Sequence, residues 1–227
     1  MALSGPSLPP ARGSATHLVV LVHGYGADGQ DLIGLAQHWR DLLPTVAFAA
    51  PNAPMRVPGS AGYQWFPISR IDPHEMQKGV EVAGPALDDY LDRELARLGL
   101  GPERLALVGF SQGTMMSLHV GLRRKVPPAA IVGFSGLLAG AAPILEGDVP
   151  PILLTHGDSD TVIPAQAMFL AANQLGLAGA CVQWHLARGM GHGIDPDGLA
   201  MAGQFLSLAF RGLLKSQGEI RSVYKPS

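Results

Sequence analysis

Four short motifs carry the residues that could do covalent chemistry. Gly109-Phe110-Ser111-Gln112-Gly113 matches G-x-S-x-G, which sets a serine between two glycines. His156-Gly157-Asp158-Ser159-Asp160 supplies carboxylates downstream, and Gly189-Met190-Gly191-His192-Gly193 supplies an imidazole in a glycine-flanked loop. Leu21-Val22-His23-Gly24-Tyr25-Gly26 leads towards a helix start near Asp28. A serine hydroxyl attacks poorly until a base takes its proton, and the base needs a carboxylate to fix its tautomer. The chemistry on offer is therefore acyl transfer through a serine, a histidine and an acid.

With 29 glycines in 227 residues, the five-residue match is weak alone, and context has to decide. Residues 104–110 read as a buried strand and residues 114–122 as a helix. A serine at such a junction sits on a strained turn, with its hydroxyl clear of the sheet and beside the positive end of the helix. Gly133-Phe134-Ser135-Gly136-Leu137 begins the same way but fails at its fifth position, so Ser135 is not expected to attack. Asp158 and Asp160 both lie after the strand at 152–155, and residue type alone does not separate them. Among the histidines, His185 falls inside a strand pattern, while His23 and His156 precede glycine at strand ends and read as structural hydrogen-bonding groups. His192 lies in the loop a mobile base needs. A metal on His156, Asp158 and Asp160 has no second histidine at ligand spacing, so neither metal nor cofactor is expected. The backbone N–H groups of Tyr25 and Gln112 are the candidate donors to a developing oxyanion.

These groups need a rigid frame. Apolar runs at 17–22, 45–50, 104–110, 129–134, 152–155 and 181–186 fit strands covered on both faces of a parallel sheet. Helical stripes lie between them: Leu32, Leu35, Ala36 and Trp39; Ala83, Leu87, Leu91, Leu95 and Leu98; and Leu199, Ala202, Leu206, Ala209 and Leu213. The fold class is α/β, a single domain with a mostly parallel central sheet and helices on both faces. Its expected bounds are 16–215, after a flexible N-terminal segment at 1–15 and before a polar C-terminal tail at 216–227, where Ile220, Val223 and Tyr224 could dock. A proline-rich loop from Pro51 to about Gln77 holds Tyr63, Trp65 and Phe66, and irregular loops of that length are usually functional. Only about sixteen residues separate Phe134 from Ile152, too few for a helical lid domain.

Composition removes other classes. Sixteen basic against eighteen acidic residues, a net charge of −2, leave no cationic surplus for nucleic acid or an anionic membrane. The single cysteine excludes an internal disulfide or a CxxC site. Residues 126–145 carry no charge but contain three prolines and three glycines before Leu145, too many breakers for a membrane helix. No charged segment leads into an apolar one at the N-terminus, so a cytoplasmic protein is expected.

The chain resembles the carboxylesterase/phospholipase family of α/β-hydrolases, which includes acyl-protein thioesterases and lysophospholipases. The resemblance rests on His23-Gly24-Tyr25-Gly26 with Asp28, on the Ser111 motif, on His156 to Asp160 with Val162 and Pro164, and on Gly191-His192, and it covers about residues 16–215. The chain order Ser111, Asp160, His192 agrees with that fold. The family pattern HGxxDxxVP puts the acid on Asp160 and not Asp158. The resemblance further implies a lidless, cofactor-free serine esterase with oxyanion donors at Tyr25 and Gln112. Many members have leucine where this chain has Tyr25, so that wall of the cleft would differ in shape. A recurring Trp-Phe pair maps onto Trp65 and Phe66, either against substrate or packed within the loop. The expected activity is hydrolysis of carboxylic esters of small or medium acyl chains. The alternatives are an acyl-protein thioesterase or lysophospholipase acting on long chains, and a non-catalytic binding module. The expected partner is a small-molecule ester, with no nucleic acid and no stable membrane insertion. The apolar face of the long loop could support a homodimer.

Overall fold

The computed structural model describes residues 2–69, 72–143 and 147–214. In chain order these form β1 (Ser7–Leu8), β2 (His17–Val22), α1 (Gly29–Ile33), α2 (Ala36–Trp39), β3 (Val46–Ala49), β4 (Met55–Arg56), β5 (Tyr63–Gln64) and α3 (Pro73–Leu98). There follow β6 (Leu105–Phe110), α4 (Gln112–Gly121), β7 (Ala130–Phe134), β8 (Ile152–Gly157), α5 (Gln166–Leu177), β9 (Val182–Ala187) and α6 (Pro196–Phe210). Seven strands make one sheet in the order β1-β3-β2-β6-β7-β8-β9, parallel throughout except for β1.

The apolar runs sort into two layers by strand periodicity. Leu18, Val20 and Val22 face a core shared with α3 and α4, which continues through Ile131 and Leu154 towards α5. Val19 and Leu21 face the opposite core with Trp39, Phe48 and the apolar side of α6. Because both faces are covered, the central strands are hydrophobic at nearly every position. The α/β sheet with helices on both faces is the one expected. Among the described residues, no helix is long and apolar enough to cross a membrane.

Three elements differ from the sequence reading. The N-terminal segment expected to be flexible is tied down. Ser7–Leu8 pairs antiparallel with β3, the Ala50 amide donates to the carbonyl of Pro6, and Leu3 is buried in the α3 core. The loop after β3 ends sooner, because Asp72 accepts from the amides of His74 and Glu75 and caps α3, with Pro73 at its first position. Within that loop β4 and β5 form an antiparallel hairpin. The C-terminal tail at 216–227 lies outside the described residues.

Two histidines are held where protonation is unfavourable. Burial and the nearby Arg104 guanidinium push His17 from 6.5 down to about 4, against a smaller opposing pull from Glu103; its ring stacks on Phe210 at 4.2 Å. Burial and Arg123 push His119 down to about 4, with Glu81 opposing. Unfolding releases both to their ordinary value, so the unfolded chain binds more protons across this interval. Stability is therefore full above about 6.5 and is lost as pH falls towards 4. The melting temperature should decline over that window and decline less in the His17→Gln, His119→Gln double variant. Equal slopes for the two proteins would contradict this assignment.

Candidate active site

Ser111 occupies the turn between β6 and α4 with φ 53° and ψ −115°, a conformation that a residue with a side chain adopts only under constraint. Close backbone packing supplies the constraint. A Cβ on Gly113 would lie 1.8 Å from the carbonyl oxygen of Val22, and one on Gly109 would lie 2.3 Å from that of Gly113. Both glycines of the motif are thus sterically required. The Ser111 amide donates to the Phe134 carbonyl at 2.9 Å, and the amides of Thr114 and Met115 take the Ser111 carbonyl as α4 begins.

The loops after β8 and β9 bring two more side chains to this turn. His192 Nε2 lies 3.0 Å from Ser111 Oγ, and His192 Nδ1 lies 2.8 Å from Asp160 Oδ2. Facing a carboxylate, Nδ1 carries the hydrogen and donates it, which leaves Nε2 to accept from the serine hydroxyl. The Asp160 side chain is sealed from solvent, and its Oδ1 accepts from the amides of Val162 and Ile163. Burial by itself raises the Asp160 carboxyl. The hydrogen bond from His192, those from the Ile163 and Val162 amides and the imidazole's charge outweigh it and hold the carboxyl below its ordinary range. Asp158 points elsewhere, accepting from the Gly189 amide and from Ser159 Oγ. It ties the two loops together, as do hydrogen bonds from the Asp158 amide to Ala187 and from the Ser159 amide to Met190.

The loop after β2 lies directly against the serine, since a Cβ on Gly24 would be 3.2 Å from Ser111 Cβ. Among the described hydrogen bonds, none takes the Tyr25 amide or the Gln112 amide, and each of these residues directly follows one packed at the turn, Gly24 and Ser111. This loop is clamped from behind. Gly26 and Ala27 exchange hydrogen bonds with Tyr63, and the buried His23 donates from Nδ1 to the Gly24 carbonyl while Nε2 accepts from the Ala53 amide. Burial holds His23 below the ordinary imidazole range, outweighing the Gly24 carbonyl and the charges of Asp28 and Asp31.

Trp65 and Phe66 are buried, which agrees with loop packing, one of the two roles the sequence left open. They are 1% and 3% exposed. The Gln112 side chain explains why: its Oε1 accepts from the Trp65 amide and its Nε2 donates to the Phe66 carbonyl, pulling this strip of loop inward. Trp65 Nε1 then donates to the His23 carbonyl, and the Phe66 ring lies against the α3 backbone at Gly79. The pair supports the loop and offers almost no surface to a ligand.

Ser135, set aside as a nucleophile on its sequence, has a structural role that the sequence did not show. It repeats the backbone state of Ser111 with φ 46°, one strand away, and its Oγ donates to the Gly193 carbonyl at 2.7 Å beside His192. The signal was the paired Gly-Phe-Ser at 109–111 and 133–135, which β6 and β7 place in register. Also unforeseen is a cavity of about 1120 Å³ between the start of α3, residues 137–143 and α5. Its lining is mostly apolar, including Met76, Leu137, Leu138, Leu170 and Leu177.

A family model described as Phospholipase/Carboxylesterase matches residues 5–210. The chain is 29% identical to acyl-protein thioesterase 1 of Gibberella zeae, over 88% of this chain and 94% of that protein. It is 32% identical to acyl-protein thioesterase 1 of Schizosaccharomyces pombe, over 70% and 75% respectively. A crystal structure of esterase PE8 superposes with a TM-score of 0.84 at 44% identity, covering 94% of this chain and all of the other.

The steric reading of the turn is testable by stability alone. Gly113→Ala should cost about 1–3 kcal/mol or more in denaturant unfolding, because the carbonyl it meets belongs to a central strand. Gly34→Ala, at φ −58° and with open space around its Cβ, should be neutral or stabilising by about 0.4–1 kcal/mol. Comparable stability of the two variants would refute the packing argument.

Proposed function

This chain belongs to the phospholipase/carboxylesterase family, and on that premise we propose that it hydrolyses carboxylic esters through an acyl-enzyme on Ser111. The observation that carries the reading is the unbroken hydrogen-bonded line from Ser111 Oγ through His192 to Asp160. Ser111 Oγ attacks the ester carbonyl while its proton passes to His192 Nε2. Asp160 stabilises the imidazolium and holds its tautomer. Negative charge on the former carbonyl oxygen is received by the Tyr25 and Gln112 amides, which are worth about 2.7–4 kcal/mol each when preorganised. His192 returns the proton to the leaving alkoxide as the C–O bond breaks, and an alcohol departs. Water, deprotonated by His192, then attacks the acyl-enzyme, and collapse releases the acid and regenerates the serine.

The preferred substrate on this reading is a small-molecule ester of short or medium acyl chain. The cavity favours a second reading with longer chains. A Cβ on Gly136 would come within 2.9 Å of the Ser111 carbonyl oxygen, and the next residue, Leu137, lines the cavity wall. An apolar space of about 1120 Å³ has the character an extended acyl tail needs, and it is lined by residues 137–143 and the faces of α3 and α5, with none of Ser111, Asp160 or His192 in its wall. The similarity to acyl-protein thioesterases points the same way. Comparing kcat/KM for butyryl and palmitoyl esters and thioesters separates the two. Higher values for butyryl support the first reading, and higher values for palmitoyl support the second.

Ser111→Ala should lower kcat by roughly four orders of magnitude or more, since these groups act as a unit. Asp160→Asn should cost far more than Asp158→Asn, because only Asp160 reaches His192. The reverse ranking would put the acid elsewhere. The rate should rise with pH as the base loses its proton, and a rate unchanged from mildly acidic to mildly basic buffer would count against His192.

A further inference from the structure

Asp160 Oδ2 has a second imidazole beside it. His156, within β8, is 1% exposed at its side chain, and its Nε2 lies 3.1 Å from Asp160 Oδ2 and 2.7 Å from the Ile163 carbonyl oxygen. Both neighbours are acceptors, so Nε2 carries the hydrogen; it bonds to the Ile163 carbonyl, with Oδ2 alongside. The same Oδ2 receives Nδ1–H of His192 at 2.8 Å. With Val162 and Ile163 on Oδ1, the carboxylate accepts three hydrogen bonds and has the His156 ring nitrogen as a further close neighbour.

The other end of the His156 ring argues against a packing role. Nδ1 is buried without a partner, and the ring borders a gap, lined by Leu118, Leu154, Met168 and Ala171 together with Thr114 and Thr155, that has no room for a water molecule. A buried acceptor without a partner is a cost that a phenylalanine or leucine in this place would avoid. The only polar work the ring does is at Nε2.

We propose that His156 is a positioning residue: its Nε2–H anchors the Ile163 carbonyl, and with it the Val162–Ile163 turn whose amides hold Asp160, and it places partial positive charge 3.1 Å from Oδ2, setting the pH at which His192 becomes a competent base. It touches no substrate. The groups that face the Asp160–His192 pair are Ser111 Oγ, the Phe110 ring, the Val162 and Ile163 amides and His156, while Asp158 is turned to Gly189 and Ser159. Among the described residues, His156 is therefore the one further titratable side chain in contact with the pair.

The proposal rests on the reading of Ser111, His192 and Asp160 as the reacting line. In His156→Phe, that partial positive charge is lost from beside Oδ2, which then favours imidazolium at His192. The acid limb of kcat/KM should then move to higher pH by about one unit, an approximately tenfold loss at mildly acidic pH. The Nδ1–H proton resonance of His192 should move downfield as that bond strengthens. His156→Gln, whose amide N–H reaches the same place, should bring the limb back towards the parent profile. The unaltered protein supplies a readout that needs no folded variant, because its ¹⁵N shifts should show His156 as the Nε2–H tautomer. An Nδ1–H tautomer overturns the proposal, as does a Phe variant with the parent limb or a Gln variant displaced as far as Phe. If Ser111→Ala still hydrolyses esters, the underlying reading has failed instead, and the proposal falls with it. If Ser111→Ala is inactive but the His156 variants behave alike, only the role of His156 is refuted.

Discussion

A carboxylate sealed from water has to be surrounded by donors, and around Asp160 that requirement brings the rest of the site into register. Desolvating a charge costs several kcal/mol unless it is paired and hydrogen-bonded. Here Val162 and Ile163 fold back onto one oxygen and His192 meets the other, so the loop after β8 and the loop after β9 must sit together. Once His192 is fixed at Nδ1, its Nε2 has one direction left, and Ser111 Oγ lies in it. The strain at Ser111 comes from elsewhere, from backbone pressed against backbone at Gly109 and Gly113. The two halves of the site are thus built by different forces, electrostatic in the loops and steric at the turn.

Around this line the structure spends buried polar groups on orientation. His23 ties the β2 loop to the segment after β3, and Gln112 reaches across to the backbone of Trp65 and Phe66. Ser135 holds Gly193, and Asp158 holds Gly189, one on each side of His192. Each is a side chain bonded to backbone, which fixes a loop path without needing that loop to have regular structure. The stiffness matters because oxyanion donors act only if they are already aimed before charge develops.

Much of this was legible in the chain. The central strands announce themselves as uninterrupted apolar runs, since parallel strands are covered on both faces, and the Ser111 motif is informative because a strand precedes it and a helix follows. The competition between Asp158 and Asp160 was not legible from residue types. Both are loop carboxylates two positions apart, and what separates them is which one faces into the protein and which one faces Gly189. The role of Trp65 and Phe66 stayed open between substrate and loop for a similar reason. Their side depends on Gln112, some 46 positions on, and no local pattern reports a bond of that range. The two-residue strands β1, β4 and β5 are too short to show a period, and the N-terminal segment looked like a loop because its composition is that of one. The Asp72-Pro73 pair was a usable helix-start signal, but the prolines before it made the whole stretch read as irregular.

On the proposed mechanism, His192 and Asp160 make one hydroxyl, that of Ser111, a nucleophile. A fluorophosphonate probe followed by peptide mapping asks this directly, because the reagent reports which oxygen attacks and not merely that hydrolysis occurs. The account predicts a single stoichiometric adduct on Ser111 that forms far more slowly in Asp160→Asn. An adduct on another residue, or none at all in folded protein that hydrolyses esters, would contradict it.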